Sequence, residues 1–251
     1  MASVKKIALI ACRVLESEVS ALTREATHIV RRELFEMGLH DQPTGLRERL
    51  MQAIGRAEAD PMVEAVVLVY GLCGLALVGL TARRCPLVVA RAHDCLTLFL
   101  GSKERYAECM RTEPGLYWYA PGWNRERRVP GPDREAKLRA EYTEKFGVEE
   151  AEALIEMERE TFALHTCASY TDLRLPGDDE HRRYAEHCAK ALGWRFAYHP
   201  GDTTLLHDLL YGPWDAERFL VVPPGRRIAH AVDTSIIKVE PVDPPPSPVS
   251  P

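Results

Sequence analysis

Three short apolar runs constrain this chain most: IALIAC at 7–12, VVLVYGLC at 66–73 and PLVVARAHDC at 86–95. Each is aliphatic without polar alternation, as expected of a strand buried on both faces, and each reaches a cysteine as the run ends. The first strand is expected over 4–11, the next two over 63–69 and 86–90, each leading into a helical run.

The intervening segments read as helices. Glu16 to Met37 has helical character, with Gly38 placed as a C-cap. A loop broken by Pro43 and Gly45 precedes a second helix, and GLYWYAPG supplies a fourth, shorter strand. Residues 133–164 are highly charged and read as two helices split near FGVEE. A second series then follows: a strand in CASYTDLRL, a helix over 180–192, a strand over 194–198, a helix over 203–211 and a strand over 218–222. Strands alternating with helices imply an α/β fold of mostly parallel sheets with helices on both faces. The expected organisation is two Rossmann-like lobes around a cleft. Residues 1–130 form the first lobe, 131–165 the connecting helices and 166–232 a second, smaller lobe. The proline-rich end, 233–251, is expected to be disordered.

Composition narrows the function classes. A net charge of -5, from 32 basic and 37 acidic residues, leaves no electrostatic footprint for nucleic acid. The longest apolar run, near 65–80, is interrupted by Tyr70, Gly71 and Gly74 and falls short of the roughly 20 residues a membrane span needs. The opening MASVKKIALIAC has too short an apolar part for a signal peptide, so a cytoplasmic protein is expected. Seven cysteines, an odd number, then argue for thiols or metal ligands over a disulfide framework.

In an open parallel sheet, ligands bind beyond the carboxyl ends of the strands. Cys12, Cys73 and Cys95 all fall there. Gly71 permits a sharp turn after Tyr70, and Gly74 a close approach to the chain. Asp94 is a candidate N-cap that puts Cys95 in the first turn of a helix, and Cys73 is expected near the start of a helix through Leu80. Thiolates converging from three loops suit zinc or an iron–sulfur cluster, with His93 or His40 as candidate nitrogen ligands. The competing reading is that cysteine is a small apolar residue suited to tight packing. Cys85, Cys109 and Cys188, in or beside helical segments, are read that way, and Cys167 is left open.

Other loop residues add polar candidates. Arg91, His93 and Asp94 cluster after an apolar strand, where a His–Asp pair could act as an oriented base and Arg91 could orient an anionic substrate. Asp94 could equally cap its helix while His93 meets solvent. Trp123, in WYAPGWNRERR, could close over an anionic or aromatic ligand, or simply pack. Thr203 and Thr204, opening the helix that carries His207 and Asp208, read slightly better as capping residues than as an anion site. There is no G-x-G-x-x-G after the first strand, no Walker loop and no G-x-S-x-G elbow.

Taken together, AC after the first strand, GLH with a following proline, YGLCG, RAHDC followed by LGS, PGW and GDTTLLHDLLYGPWDAERFLVVPPG resemble domain-of-unknown-function family 1638 of bacteria and archaea. The resemblance spans about residues 5 to 230. It implies an association with corrinoid-dependent methyltransferases and one-carbon metabolism, and assigns no role to any residue. The D-x-H-x-x-G pattern expected of a corrinoid-carrying domain is missing, so the chain is not read as the carrier.

The first functional expectation is an enzyme with zinc or an iron–sulfur cluster on Cys12, Cys73 and Cys95, an anionic small-molecule substrate, and a corrinoid or methyltransferase protein as partner. The second is a metal-free small-molecule-binding or accessory protein for a methyltransferase system. A methyltransferase using a sulfonium cofactor ranks last, for want of a glycine-rich first loop.

Overall fold

The computed structural model describes residues 5–242, with the side chains of His40 and Asp41 outside the description. The fold is α/β and divides into two compact units, each discontinuous in sequence. The first contains residues up to Cys12, Thr23–Cys95 and the chain from Leu205 onward; the second contains Arg13–Leu22 and Leu96–Thr204.

The first unit is organised by a five-stranded sheet. Strands β1 (Ile7–Cys12), β2 (Ile29–Phe35), β3 (Ala65–Val69) and β5 (Leu87–Ala90) run parallel, and β9 (Phe219–Val222) pairs antiparallel with β5, in the order β2-β1-β3-β5-β9. β1, β3 and β5 are buried at every position, which is why their sequences lack polar alternation. Helix α2 (Pro43–Glu58) packs on β1 and β3, burying Leu46, Leu50, Ala53, Ile54 and Ala57 at helical spacing. A small antiparallel sheet joins β4 (Thr81–Ala82), β10 (Arg226–His230) and β11 (Ile237–Pro241).

The second unit has a parallel sheet, β6 (Leu116–Tyr119), β7 (Cys167–Asp172) and β8 (Arg195–Pro200), with β7 central and buried throughout. Its helices are α1 (Glu16–Leu22), α3 (Leu96–Leu100), α4 (Lys103–Thr112), α5 (Pro121–Glu126), α6 (Pro132–Phe146), α7 (Val148–Thr161) and α8 (Asp178–Leu192). Helix α9 (Thr204–Tyr211) leads back to the first unit.

Four expectations change. The helix expected over 16–37 ends at Leu22, and Ile29–Phe35 is a strand. As the outer strand of its sheet, β2 leaves Arg31 and Arg32 exposed while its apolar residues are half-buried, a pattern that the charged stretch disguised as helical. The strand at 218–222 belongs to the first sheet, because its partner is β5. The expected tail contains β11, held by five successive pairings with β10; residues 243–251 of that tail lie outside the described residues. The helix expected from Cys73 to Leu80 is a series of turns.

Two features decide local energetics. A Cβ on Gly71 would stand 2.3 Å from the Cα and carbonyl carbon of Asp94, so this glycine lets the segments after β3 and β5 touch backbone to backbone. In the second unit, Glu18 on α1 is fully buried, and neither carboxylate oxygen finds a partner on another of the described residues. Burial raises its pKa from 4.5 to about 7, assisted by Asp178 and Asp172 and opposed by its own backbone N–H and by Arg125.

Gly71→Ala should cost about 3 kcal/mol by forcing those backbones apart. Gly55→Ala, inside α2 with open space around the new methyl, should gain about 1 kcal/mol. Denaturation midpoints moving in opposite directions would bear this out; a Gly71→Ala midpoint at the parent value would not. For Glu18, the folded pKa lies above the unfolded one, so its neutral form is the stable one in the fold. Its contribution is fully present below about pH 4.5 and falls as the unfolded chain ionises first, by about 3 kcal/mol in all, levelling off above about pH 7. Glu18→Gln should remove that slope from a stability–pH series, and a slope unchanged by the substitution would assign it to other groups.

Candidate functional site

The three cysteines converge within the first unit. Cys12 is the last residue of β1 and buried. Cys73 lies in the loop after β3, partly exposed, and Cys95 is buried immediately before α3. Beyond the strands proper, Leu72 N–H donates to the Ala92 carbonyl at 2.9 Å and Cys73 N–H to the His93 carbonyl at 3.1 Å. With Gly71 against Asp94, these bonds carry the β3–β5 alignment into the loops and set two thiols side by side. Cys73 Sγ and Cys95 Sγ are 3.8 Å apart, and the Cys95 thiol is also in hydrogen-bonding contact with Cys12. Those two thiol contacts, followed by burial, push the Cys95 thiol well above its ordinary range and keep it neutral.

The loop holding Cys73 has an uncommon backbone. Cys73, Gly74 and Leu75 take φ values of 44°, 64° and 72°, three successive left-handed residues of which two carry side chains. Each such non-glycine residue costs about 1–2 kcal/mol. The turn is closed by Ala76 N–H on the Cys73 carbonyl at 3.3 Å and Val78 N–H on the Leu75 carbonyl at 3.0 Å. Strain of this kind concentrates at functional sites.

A fourth group joins the thiols. Tyr70 is almost wholly buried, and its hydroxyl has no hydrogen-bond partner among the described residues. Its pKa is pushed well above the phenol range by burial first, then by Cys12, Cys95 and Cys73, the groups it faces. In the sequence Tyr70 stands out only as an interruption of an apolar run. The signal was available: a tyrosine ends an otherwise aliphatic buried strand, and such a hydroxyl needs an acceptor.

The remaining expected residues separate. Arg91 donates through Nε to the Ala216 carbonyl at 2.9 Å and through one terminal nitrogen to the carbonyls of Ser235, at 2.9 Å, and Ile237. Its guanidinium thus ties β5 to the C-terminal strands, a positioning job. His93 is exposed at its side chain, and its carbonyl is the group that orders Cys73. Asp94 contributes its backbone to the Gly71 contact; Cys95, expected inside the first turn of a helix, stands just ahead of α3. Gly74 is exposed, with Pro43 Cγ 3.8 Å from where a Cβ would be, so its left-handed conformation is its clearer requirement. Trp123 lies in the second unit on α5, packed against the core of Tyr119, Ala168, Tyr170 and Cys188, with its ring 6.2 Å from Phe99. Cys167 opens β7 and contacts Ser169 Oγ at 3.6 Å. The side chain of His40 lies outside the described residues.

Three thiols and a phenol form a soft, sulfur-rich donor set that a thiophilic metal would match. Two thiolates on one tetrahedral zinc, each at about 2.3 Å, stand about 3.8 Å apart. The Cys73–Cys95 separation is 3.8 Å. Among the described residues, no group of three or more His, Cys, Asp or Glu side chains is already arranged to hold a metal ion, so metal binding here requires the thiols to turn toward a common centre. Among the same residues, no helix is long and apolar enough to cross a membrane.

No curated protein and no solved structure matches the chain. Residues 34–210 match the family described as "Protein of unknown function (DUF1638)", a span that includes Tyr70, Cys73 and Cys95 and begins after Cys12. With well over half its length matched, the chain belongs to the DUF1638 family.

Proposed function

We propose that this chain is a metal-dependent enzyme whose metal is held by Cys12, Cys73 and Cys95. The observation that carries the reading is the Cys95 thiol in contact with both other thiols, with the Cys73 sulfur already at the separation of two ligands on one tetrahedral ion. That spacing favours a single zinc-like ion over a four-iron cubane, in which each thiolate ligates a separate iron and the sulfurs stand farther apart. The orphaned Tyr70 hydroxyl supports it too, since a phenol O–H is a suitable donor to a metal-bound thiolate. None of the seven cysteines, all within the described residues, is in a disulfide, which suits a reducing compartment such as the cytoplasm.

A zinc ion with three thiolates and one further position would act as a Lewis acid toward a bound thiol or water. The protein's own contribution is positional. The Gly71–Asp94 contact fixes the two loops, Cys95 joins the other thiols from a buried position, and the partly exposed Cys73 marks the side from which a small molecule would enter. Thiol activation of this kind fits the methyl-transfer setting suggested by the resemblance, with a small thiol as the acceptor and a corrinoid or methyltransferase protein as the donor's carrier.

Elemental analysis of tag-free protein, purified anaerobically without chelator, should find about one zinc per chain. Cys95→Ser should lose at least nine-tenths of it, and Cys188→Ser, a buried cysteine of the second unit, should keep it. Iron with a broad brown absorbance would replace the single ion with a cluster. The absence of stoichiometric metal, together with failure to retain added zinc through gel filtration, would overturn the proposal.

A further inference from the structure

Of the four cysteines outside that site, Cys109 has a histidine and a carboxylate in line with it. Cys109 and Glu113 are four residues apart at the end of α4, so one helical turn sets them on the same side. His199, on β8, places Nδ1 3.7 Å from Cys109 Sγ and Nε2 3.6 Å from Glu113 Oε1. The indole of Trp118, on β6, packs on the imidazole with ring centres 5.1 Å apart. A nucleophile, a base beside it and a carboxylate within reach of the base's other nitrogen form the arrangement that activates a side chain for covalent catalysis.

A second observation points to a guest. Among the described residues, His199 Nε2, Glu113 Oε2 and Trp118 Nε1 are all buried without a hydrogen-bond partner, and Arg195 comes no nearer than 3.9 Å to Glu113 Oε2. Buried polar atoms are rarely left unpaired, and three grouped at one imidazole, that of His199, call for an explanation. We infer that Cys109 is a nucleophile activated by His199 and oriented by Glu113, and that it takes a small acyl ester or thioester.

In the forward step the Cys109 proton passes to His199 Nδ1 while the sulfur lone pair forms a bond to the acyl carbon. The bond from that carbon to the leaving oxygen or sulfur breaks, and the leaving group takes the proton from His199. Water then cleaves the Sγ–acyl bond, giving its proton to His199 and on to the thiol, and the carboxylic acid departs. Trp118 Nε1–H is the donor free to meet the carbonyl oxygen. With Cys109 only 7% exposed, the acyl group must be small.

The electrostatics suit a general base. Burial is the largest influence on both groups, pushing the Cys109 thiol up and the His199 imidazole down. Arg105 faces both and favours the thiolate and the neutral ring; Glu113 faces both and opposes it, and Glu108 also faces Cys109. The resting pair is therefore a neutral thiol beside a neutral imidazole, with His199 ready to accept a proton.

The probe is p-nitrophenyl acetate on the full chain, followed by peptide mapping. The expected result is a burst of about one p-nitrophenol per chain, with the acetyl group on the Cys109 peptide. The burst rate should rise through an inflection below pH 6.5, the ordinary imidazole value. His199→Gln should slow acetylation at least ten-fold and leave a rate that climbs only above pH 9, the ordinary thiol value. Glu113→Gln should slow it less. No acetyl on Cys109, or a pH profile that His199→Gln leaves unchanged, would overturn the inference. If His199→Gln does not fold, the parent profile decides: an inflection only above pH 9 sinks it. The readout lies on a peptide distinct from those of Cys12, Cys73 and Cys95, so metal content and this result can fail separately.

Discussion

The backbone contact between Gly71 and Asp94 is the constraint on which the candidate metal site depends. β3 and β5 end as adjacent parallel strands, and parallel strands ordinarily diverge into separate loops. Here they stay together for two further hydrogen bonds, Leu72 to Ala92 and Cys73 to His93, because position 71 has no side chain to hold the chains apart. The chain then turns sharply through three left-handed residues, which leaves Cys73 beside Cys95. A side chain at 71 would separate the loops first and the sulfurs with them. The arrangement therefore rests on a backbone clearance, and the cysteines inherit their geometry from it.

Much of this was legible in the sequence. Continuous aliphatic runs identify buried parallel strands, and such strands direct their following loops to one edge, so three cysteines at three strand ends can be brought together without knowing any distance. What stayed hidden shares one cause: partners far away in the chain. Arg91 reads as a substrate-binding residue until its acceptors, 125 to 146 residues further on, occupy the guanidinium. The strand at 219–222 looks like part of a second α/β series because nothing local says that β5 is its partner. β2 was lost for a different reason, since an outer strand with three consecutive charged residues carries too little alternation to be told from a helix.

Cys109 illustrates the same limit at the level of chemistry. Its helix spacing to Glu113 was visible, and that alone means little, because such pairs are common on any charged helix. His199 comes from 90 residues away, through a parallel sheet whose order places β8 at an edge. Only then does a packing residue acquire a base.

The two thiol groupings also show why cysteine cannot be assigned a role by type. Around Cys95 the neighbours are other thiols and a phenol, none of which can take a proton from it near neutral pH; such a set becomes reactive when a cation replaces the protons. Around Cys109 the neighbour is an imidazole whose burial keeps it a free base, and the proton has somewhere to go without a metal. Cys188, buried beside Tyr184 and Asp133, has its thiol pushed up to about 11 by burial, and Tyr184, its hydrogen-bonding neighbour, is a phenol in place of a base. The difference between ligand, nucleophile and filler lies in the acceptor each fold position provides, and membership of the DUF1638 family conveys none of the three.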